Sequence, residues 1–267
     1  MSPKNHPMRA LAPLLILLVT ALSAGCGLKD HDPTADWSKE KLYAEAKRAM
    51  EAGTFQDAID YFEKLEARYP FGPLALQAQL DIAYSYYQFG EEQAAIAALD
   101  RFIKLHPTHE GVAYAYYLRG LIRYNRGRTF VNDLFPRDMS QMDQSRLRQA
   151  FSDFRRVVEQ HGDTRYADDA RKRMRYLRNE MARHELETAR FYFERSAYTG
   201  ALNRIQYLLS NYDGAPAVPD ALALQIRSYE RLGLDDLATD SRRVLRRNWP
   251  EHPVPESESA RTAEEGS

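Results

Sequence analysis

Few residues in this chain are placed to do chemistry. It has one cysteine, Cys26, and the residues just before it are small: Ser23, Ala24 and Gly25. A lone thiol makes neither an intramolecular disulfide nor a cysteine metal cluster. His106 and His109 flank Pro107-Thr108. Two imidazoles at that spacing can hold a metal, but no third ligand is apparent nearby. Asp168-Asp169 suits the start of a helix, where negative charge complements the dipole. No G-x-S-x-G, H-E-x-x-H, P-loop or G-x-G-x-x-G occurs. Nucleophilic, metal-hydrolytic, phosphate-binding and dinucleotide chemistry each lack their usual frame. The expectation is a chain that catalyses nothing and holds no metal or cofactor.

That leaves the thiol and its surroundings. Lys4 and Arg9 make a basic start, and an apolar run follows from Leu11 to Leu22, broken only by Pro13 and Thr20. A basic segment, a short apolar core and small residues before a cut describe an export signal. The run is too short for a comfortable membrane span. The Cys after Ala24-Gly25 resembles a lipobox, in which the thiol carries diacylglycerol and the new terminus an acyl chain. One position departs from the pattern, since Ser23 stands where Leu is usual. Residues 1–25 are thus expected to be a lipoprotein signal peptide. Residues 26–38 are read as a lipidated polar tether, because no apolar period begins before Leu42. A lipidated thiol of this kind gives lasting attachment when more than one chain is buried.

The elements beyond the tether follow a period of about 34 residues. The unit is a helix pair with small residues where the two helices cross, a large apolar residue between neighbouring pairs, and Pro after the second helix. Ala46, Gly53, Ala58, Phe62 and Pro70 mark the first repeat. Ala83, Tyr86, Gly90, Ala95, Leu99 and Pro107 mark the second. In the third, Gly120 is followed late by Ala150 and Phe154, which predicts an insert over 125–143. Ala189, Tyr192, Ala201 and Leu208 mark the fourth, preceded by a stretch from Arg165 to Arg183 without Pro or Gly, so its first helix is expected to be long. Tyr229, Gly233, Ala238, Leu245 and Pro250 mark the fifth. The fold class expected is all-α, a tetratricopeptide-like superhelix of about five helix pairs. Repeats one to three fill 39–160, repeats four and five fill 161–250, and 251–267 is an acidic, disordered tail.

Composition agrees with a binding scaffold. The formal net charge is −1, and it becomes more negative once residues 1–25, with Lys4 and Arg9, are removed. That excludes a broad nucleic-acid-binding surface. The 17 tyrosines suit helices that pack a ring and keep a hydroxyl at a wet groove, or ordinary amphipathic packing. Arg165, Arg171, Lys172, Arg173, Arg175, Arg178, Arg183, Arg190 and Arg195 gather positive charge in one stretch. This is either a solvated face with partners such as Glu180, or a docking surface for an acidic partner.

Several segments resemble one family. Arg68-Tyr69-Pro70-Phe71-Gly72-Pro73, Arg101-Phe102-Ile103, Pro107-Thr108-His109, Arg119-Gly120-Leu121, Ala150-Phe151-Ser152-Asp153-Phe154 and Asn203-Arg204 are similar to the BamD (ComL) lipoproteins of the outer-membrane β-barrel assembly machine. The resemblance spans about 22–250. It implies a scaffold on the periplasmic face of the outer membrane, anchored through Cys26, and Gly27 in place of Asp fits delivery there. It implies that the C-terminal repeats, through Arg204, bind a POTRA domain of the barrel subunit BamA, alongside other subunits of the machine. It also implies that the N-terminal repeats take the extended, aromatic-rich C-terminal β-signal of unfolded barrel substrates. Tyr69, Phe71, Tyr84 and Tyr87 are the aromatic candidates, with Tyr84 and Tyr87 open to a plain core role. A different periplasmic repeat lipoprotein, such as an envelope coordinator or a pilotin, is the alternative. An enzyme with a repeat appendage has no catalytic constellation to support it.

Overall fold

The computed structural model describes residues 32–125 and 143–255. Among them are ten α-helices and no strand. They are α1 (Lys39–Glu51), α2 (Phe55–Arg68), α3 (Pro73–Phe89), α4 (Glu92–Leu105), α5 (Val112–Asn125), α6 (Gln144–Gln160), α7 (Ala167–Glu194), α8 (Tyr198–Asn211), α9 (Val218–Arg231) and α10 (Asp235–Asn248). Consecutive helices pack as antiparallel neighbours, and α1, α3 and α5 also touch along one side. The result is five stacked helix pairs, as the repeat spacing predicts.

The crossing points explain the periodic alanines. Ala46, Ala58, Ala83, Ala95, Ala150, Ala189, Ala201 and Ala238 are all fully buried. A larger side chain there would push the paired helices apart. Gly120 holds the same place in α5, and a Cβ on it would meet the Phe154 ring at 2.8 Å. Phe62, Leu99, Phe154, Leu208 and Leu245 fill the space between pairs, each without solvent exposure. Pro70, Pro107 and Pro250 lie just beyond the ends of α2, α4 and α10, where the missing N–H costs nothing.

The turns within pairs need a left-handed residue. Gly53, Gly90 and Gly233 supply it, with φ of 78°, 94° and 70°. In the fourth pair the place is held by Ser196, at φ 58°, so the glycine cue disappears from the sequence although the turn is kept. The long first helix expected for that repeat is α7, with 28 residues. Asp168 and Asp169 sit in its first turn. The insert expected over 125–143 lies, apart from its two ends, outside the described residues. So do Cys26, the signal segment 1–25 and tail residues 256–267.

Both ends of the array are more ordered than the sequence suggests. Of the tether, residues 32–37 fold onto the first repeat, where Thr34 is buried and Trp37 packs on Tyr61. At the other end residues 249–255, of which 251–255 belong to the expected tail, turn back over the last pair. Trp249 and Val254 pack against the core, and Arg242 donates to the Pro255 carbonyl at 3.3 Å. Apolar side chains in both segments have a helix surface within reach, which the local polarity of the sequence does not reveal. No described helix is long and apolar enough to cross a membrane.

Candidate functional site

The stacked first helices of repeats one to three leave an open groove of about 780 Å³. Its walls come from α1, α3 and α5 and from the turn entering α7. Met50, Leu80, Tyr84, Tyr114 and Tyr166 supply apolar and aromatic surface. Tyr114 and Tyr166 lie with ring centroids 5.6 Å apart, and Tyr166 stacks on Tyr117 at 5.1 Å. Arg165 lies over the Tyr166 ring and donates to its hydroxyl at 2.8 Å. A row of aromatic faces with polar tips accepts an extended chain while satisfying its peptide groups.

Asp81 stands among these residues, only 7% exposed. Its carboxylate accepts from the Tyr43 hydroxyl at 3.0 Å and the Gln77 amide at 3.2 Å, and Lys47 comes to 3.7 Å. Burial raises its pKa above the usual value, with Lys47 and Tyr43 opposing the shift. Burial also raises the Tyr43 and Tyr114 hydroxyls, so both remain donors at any physiological pH. The groove thus carries fixed donors, one buried anion and two cations, Lys47 and Arg165. Lys47, Asp81, Tyr114 and Tyr166 were not singled out from the sequence. Asp81 left a signal, as the acidic residue in the otherwise uncharged α3. Nothing local links residues 47, 81, 114 and 166.

The four aromatic candidates separate. Tyr84 lines the groove. Phe71 does not, but it is 89% exposed on the turn between α2 and α3. Tyr87 is half-buried and accepts from Asn125 at 2.9 Å. Tyr69 is also half-buried, and its hydroxyl donates to the Trp37 carbonyl at 3.0 Å. Tyr69 and Tyr87 are therefore engaged within the fold.

Arg204 lies on α8 in the second half of the array. One guanidinium nitrogen is 3.4 Å from Glu185 on α7, and 47% of the side chain remains exposed. Glu185 is buried, so Arg204 supplies a cation to it across α7 and α8. A half-exposed guanidinium keeps N–H groups with which it can bond a carboxylate.

Other singled-out residues serve the fold. Arg119 donates to Asp153 at 3.1 and 2.5 Å and also pairs with Asp100, while Arg123 takes the other Asp153 oxygen. Asp153 is 2% exposed, so this network staples α5 to α6. His106 and His109 pack on Phe102, and His109 accepts from the Gly111 amide at 3.0 Å. Among the described residues no three His, Cys, Asp or Glu side chains gather as a metal site. Much of the basic stretch is paired within the fold: Arg171 with Asp168, Arg173 with Asp169, Arg183 with Glu180, and Arg190 with Glu187 and Asp220.

Residues 35–245 match the YfiO family, described as outer membrane lipoprotein. The chain is 40% identical over 244 residues to a protein of Neisseria meningitidis serogroup A named outer membrane protein assembly factor BamD, covering 90% of this chain and 91% of that one. Proteins of the same name in Vibrio cholerae and Xylella fastidiosa are 36% and 37% identical, covering 87% and 92% of this chain and 96% and 84% of theirs. Among solved structures, a tetratricopeptide domain of yeast Sti1 is similar at 14% identity and a TM-score of 0.44, over 80% of this chain and 78% of that one.

Proposed function

The chain belongs to the YfiO family of outer membrane lipoproteins, and from that premise we propose that it is a non-catalytic scaffold in the assembly of outer-membrane β-barrel proteins. The observation that carries this reading is the likeness to assembly factors named BamD along nine-tenths of the chain. In this reading Cys26 carries a diacylglycerol and an acyl chain and holds the scaffold to the outer membrane on its periplasmic side. The groove of repeats one to three takes the C-terminal β-signal of an unfolded barrel. Its aromatic wall and fixed donors suit an extended segment with alternating aromatic side chains. Phe71, exposed on the turn between α2 and α3, offers a further apolar contact outside the groove. Tyr69 and Tyr87 then act from behind by holding the fold.

The second half takes the barrel subunit. Arg204, half-exposed beside buried Glu185, faces an acidic group on a POTRA domain of BamA. The scaffold lowers no chemical barrier. It holds substrate and receiving subunit at a set separation, which raises the effective concentration of one for the other.

The test is affinity capture from detergent-solubilised envelope with a tag after Ser267, read by mass spectrometry. Recovery of a POTRA-containing barrel protein in near-equal amount is expected. An intact, membrane-bound chain that brings down no such protein contradicts the proposal and favours another envelope repeat lipoprotein.

A further inference from the structure

The Arg68-Tyr69 pair of the six-residue motif points away from the groove's lining and into the chain's own N-terminal segment. Arg68 forks onto the Asp32 carboxylate and the Thr34 carbonyl, and also meets the Thr34 hydroxyl at 3.0 Å. Lys64 reaches Asp32 at 3.4 Å. The Tyr69 hydroxyl holds the Trp37 carbonyl, Trp37 stacks on Tyr61 at 5.7 Å, and Lys41 caps the Trp37 ring at 4.2 Å. Within the segment, Asp32 accepts from the Thr34 amide and hydroxyl at 3.0 and 2.7 Å. Thr34 is 2% exposed. A seven-residue polar lead-in with this many long-range bonds is a fixed part of the first repeat.

We infer that Arg68 and Tyr69 are positioning residues, a clamp that shortens the tether and sets the stand-off between scaffold and bilayer. The inference rests on the lipid-anchor reading of Cys26. Only residues 27–31 separate Cys26 from the clamped Asp32. Six extended peptide steps reach about 20 Å, so the first repeat stays within that distance of the lipid surface. A tether free to Lys39 would let it wander roughly twice as far. Lys47 and Met50 of α1 form one wall of the groove, so the clamp keeps that wall near the membrane. An arginine suits this task because its planar fork bonds a carboxylate and a carbonyl at once.

The experiment uses the mature lipidated chain. Because the thioether to diacylglycerol consumes the Cys26 thiol, Glu51→Cys gives one labelling site on the first repeat. Energy transfer from that dye to an acceptor lipid, in vesicles of phosphatidylethanolamine and phosphatidylglycerol, reads the stand-off. Hydrogen exchange of residues 34–37 reads the clamp. In Arg68→Ala we expect those amides to exchange about tenfold faster or more, with transfer falling toward the value of a control carrying ten Gly and Ser residues after Asp30. Asp32→Asn should act in the same direction, weakly, and cannot disturb the helices because it lies outside them. The Thr34 hydroxyl and amide hold the Asp32 carboxyl down to about 2, from 3.8. Wild-type protection is therefore expected to be full at neutral pH and to weaken only as the pH falls between those values. Unchanged exchange, or faster exchange with unchanged transfer, overturns the inference. A wild-type chain that carries no lipid fails the anchor reading instead, and exchange then still reports on the clamp.

Discussion

The two halves of the array use their arginines differently. In repeats one to three the motif arginines Arg68 and Arg119 are consumed inside the fold, Arg68 on the tether and Arg119, with Arg123 beside it, on the 2%-exposed Asp153, while Arg101 pairs with Glu66 and stays half-exposed. What they leave open is a concave, aromatic groove. In repeats four and five Arg204 spends one edge on buried Glu185 and keeps nearly half its side chain in solvent. The last pair adds Leu234, Leu237 and Val244, each more than 40% exposed. The same residue type is thus largely buried in ion pairs at Arg119 in one half and left half in solvent at Arg204 in the other. A motif residue's role follows from what lies opposite it in the fold, not from its being in the motif.

The sharpest way to break this contrast is to disturb the first half where it is stapled. Phe154→Ala should cost about 3–5 kcal/mol of stability, because the ring is fully buried and packs on Gly120. Urea unfolding of the soluble part measures it, and a loss under 1 kcal/mol would deny that α5 and α6 are locked together. Arg204→Glu is expected to weaken binding to the isolated POTRA region by about 2–4 kcal/mol, read by calorimetry. Stability should fall less than binding, since the Arg204 side chain is half-exposed. Arg204→Leu combined with Glu185→Gln should recover that stability and leave binding weak, which separates contact from fold. Tyr84→Ala is expected to weaken a β-signal peptide by about 1–2 kcal/mol, with POTRA binding unchanged. The smallest effect belongs to Asp81. Burial raises its folded pKa, so the folded state binds the proton more tightly than the unfolded chain. Stability is then highest below the ordinary carboxylate range and falls as the pH rises through the interval up to the raised value. Asp81→Asn should flatten that slope in urea midpoints taken across acid to neutral pH.

Much of the fold was legible in the sequence. The pairs were readable because a close helix crossing admits only small residues, and Ala46, Ala83 and Ala150 recur where crossings fall. The long α7 was readable from the lack of any breaker between Arg165 and Arg183. The fourth turn was not, because Ser196 adopts a conformation that the sequence flags only when glycine is present. The site was less legible. Tyr84 was singled out because the resemblance implies an aromatic-rich ligand for the N-terminal repeats and Tyr84 is one of the aromatics there. Tyr114 and Tyr166 were not, since each belongs to a different repeat and only stacking brings them together. Tyr69 was read as a recognition candidate and Arg68 only as part of a motif, because their partners lie some 32 to 36 residues earlier in a segment with no periodic signal. Arg204 was identified by resemblance; its pairing with Glu185 depends on how α7 and α8 cross.

The central claim is that the two halves serve two different partners. The most direct measurement is binding of the wild type, Tyr84→Ala and Arg204→Glu to two ligands in parallel: the isolated POTRA region and a peptide ending in a barrel C-terminal strand. The account predicts a crossed result, in which Tyr84→Ala loses the peptide and keeps the POTRA region, and Arg204→Glu does the reverse. Loss of both ligands by either soundly folded variant, or of neither by both, would contradict it.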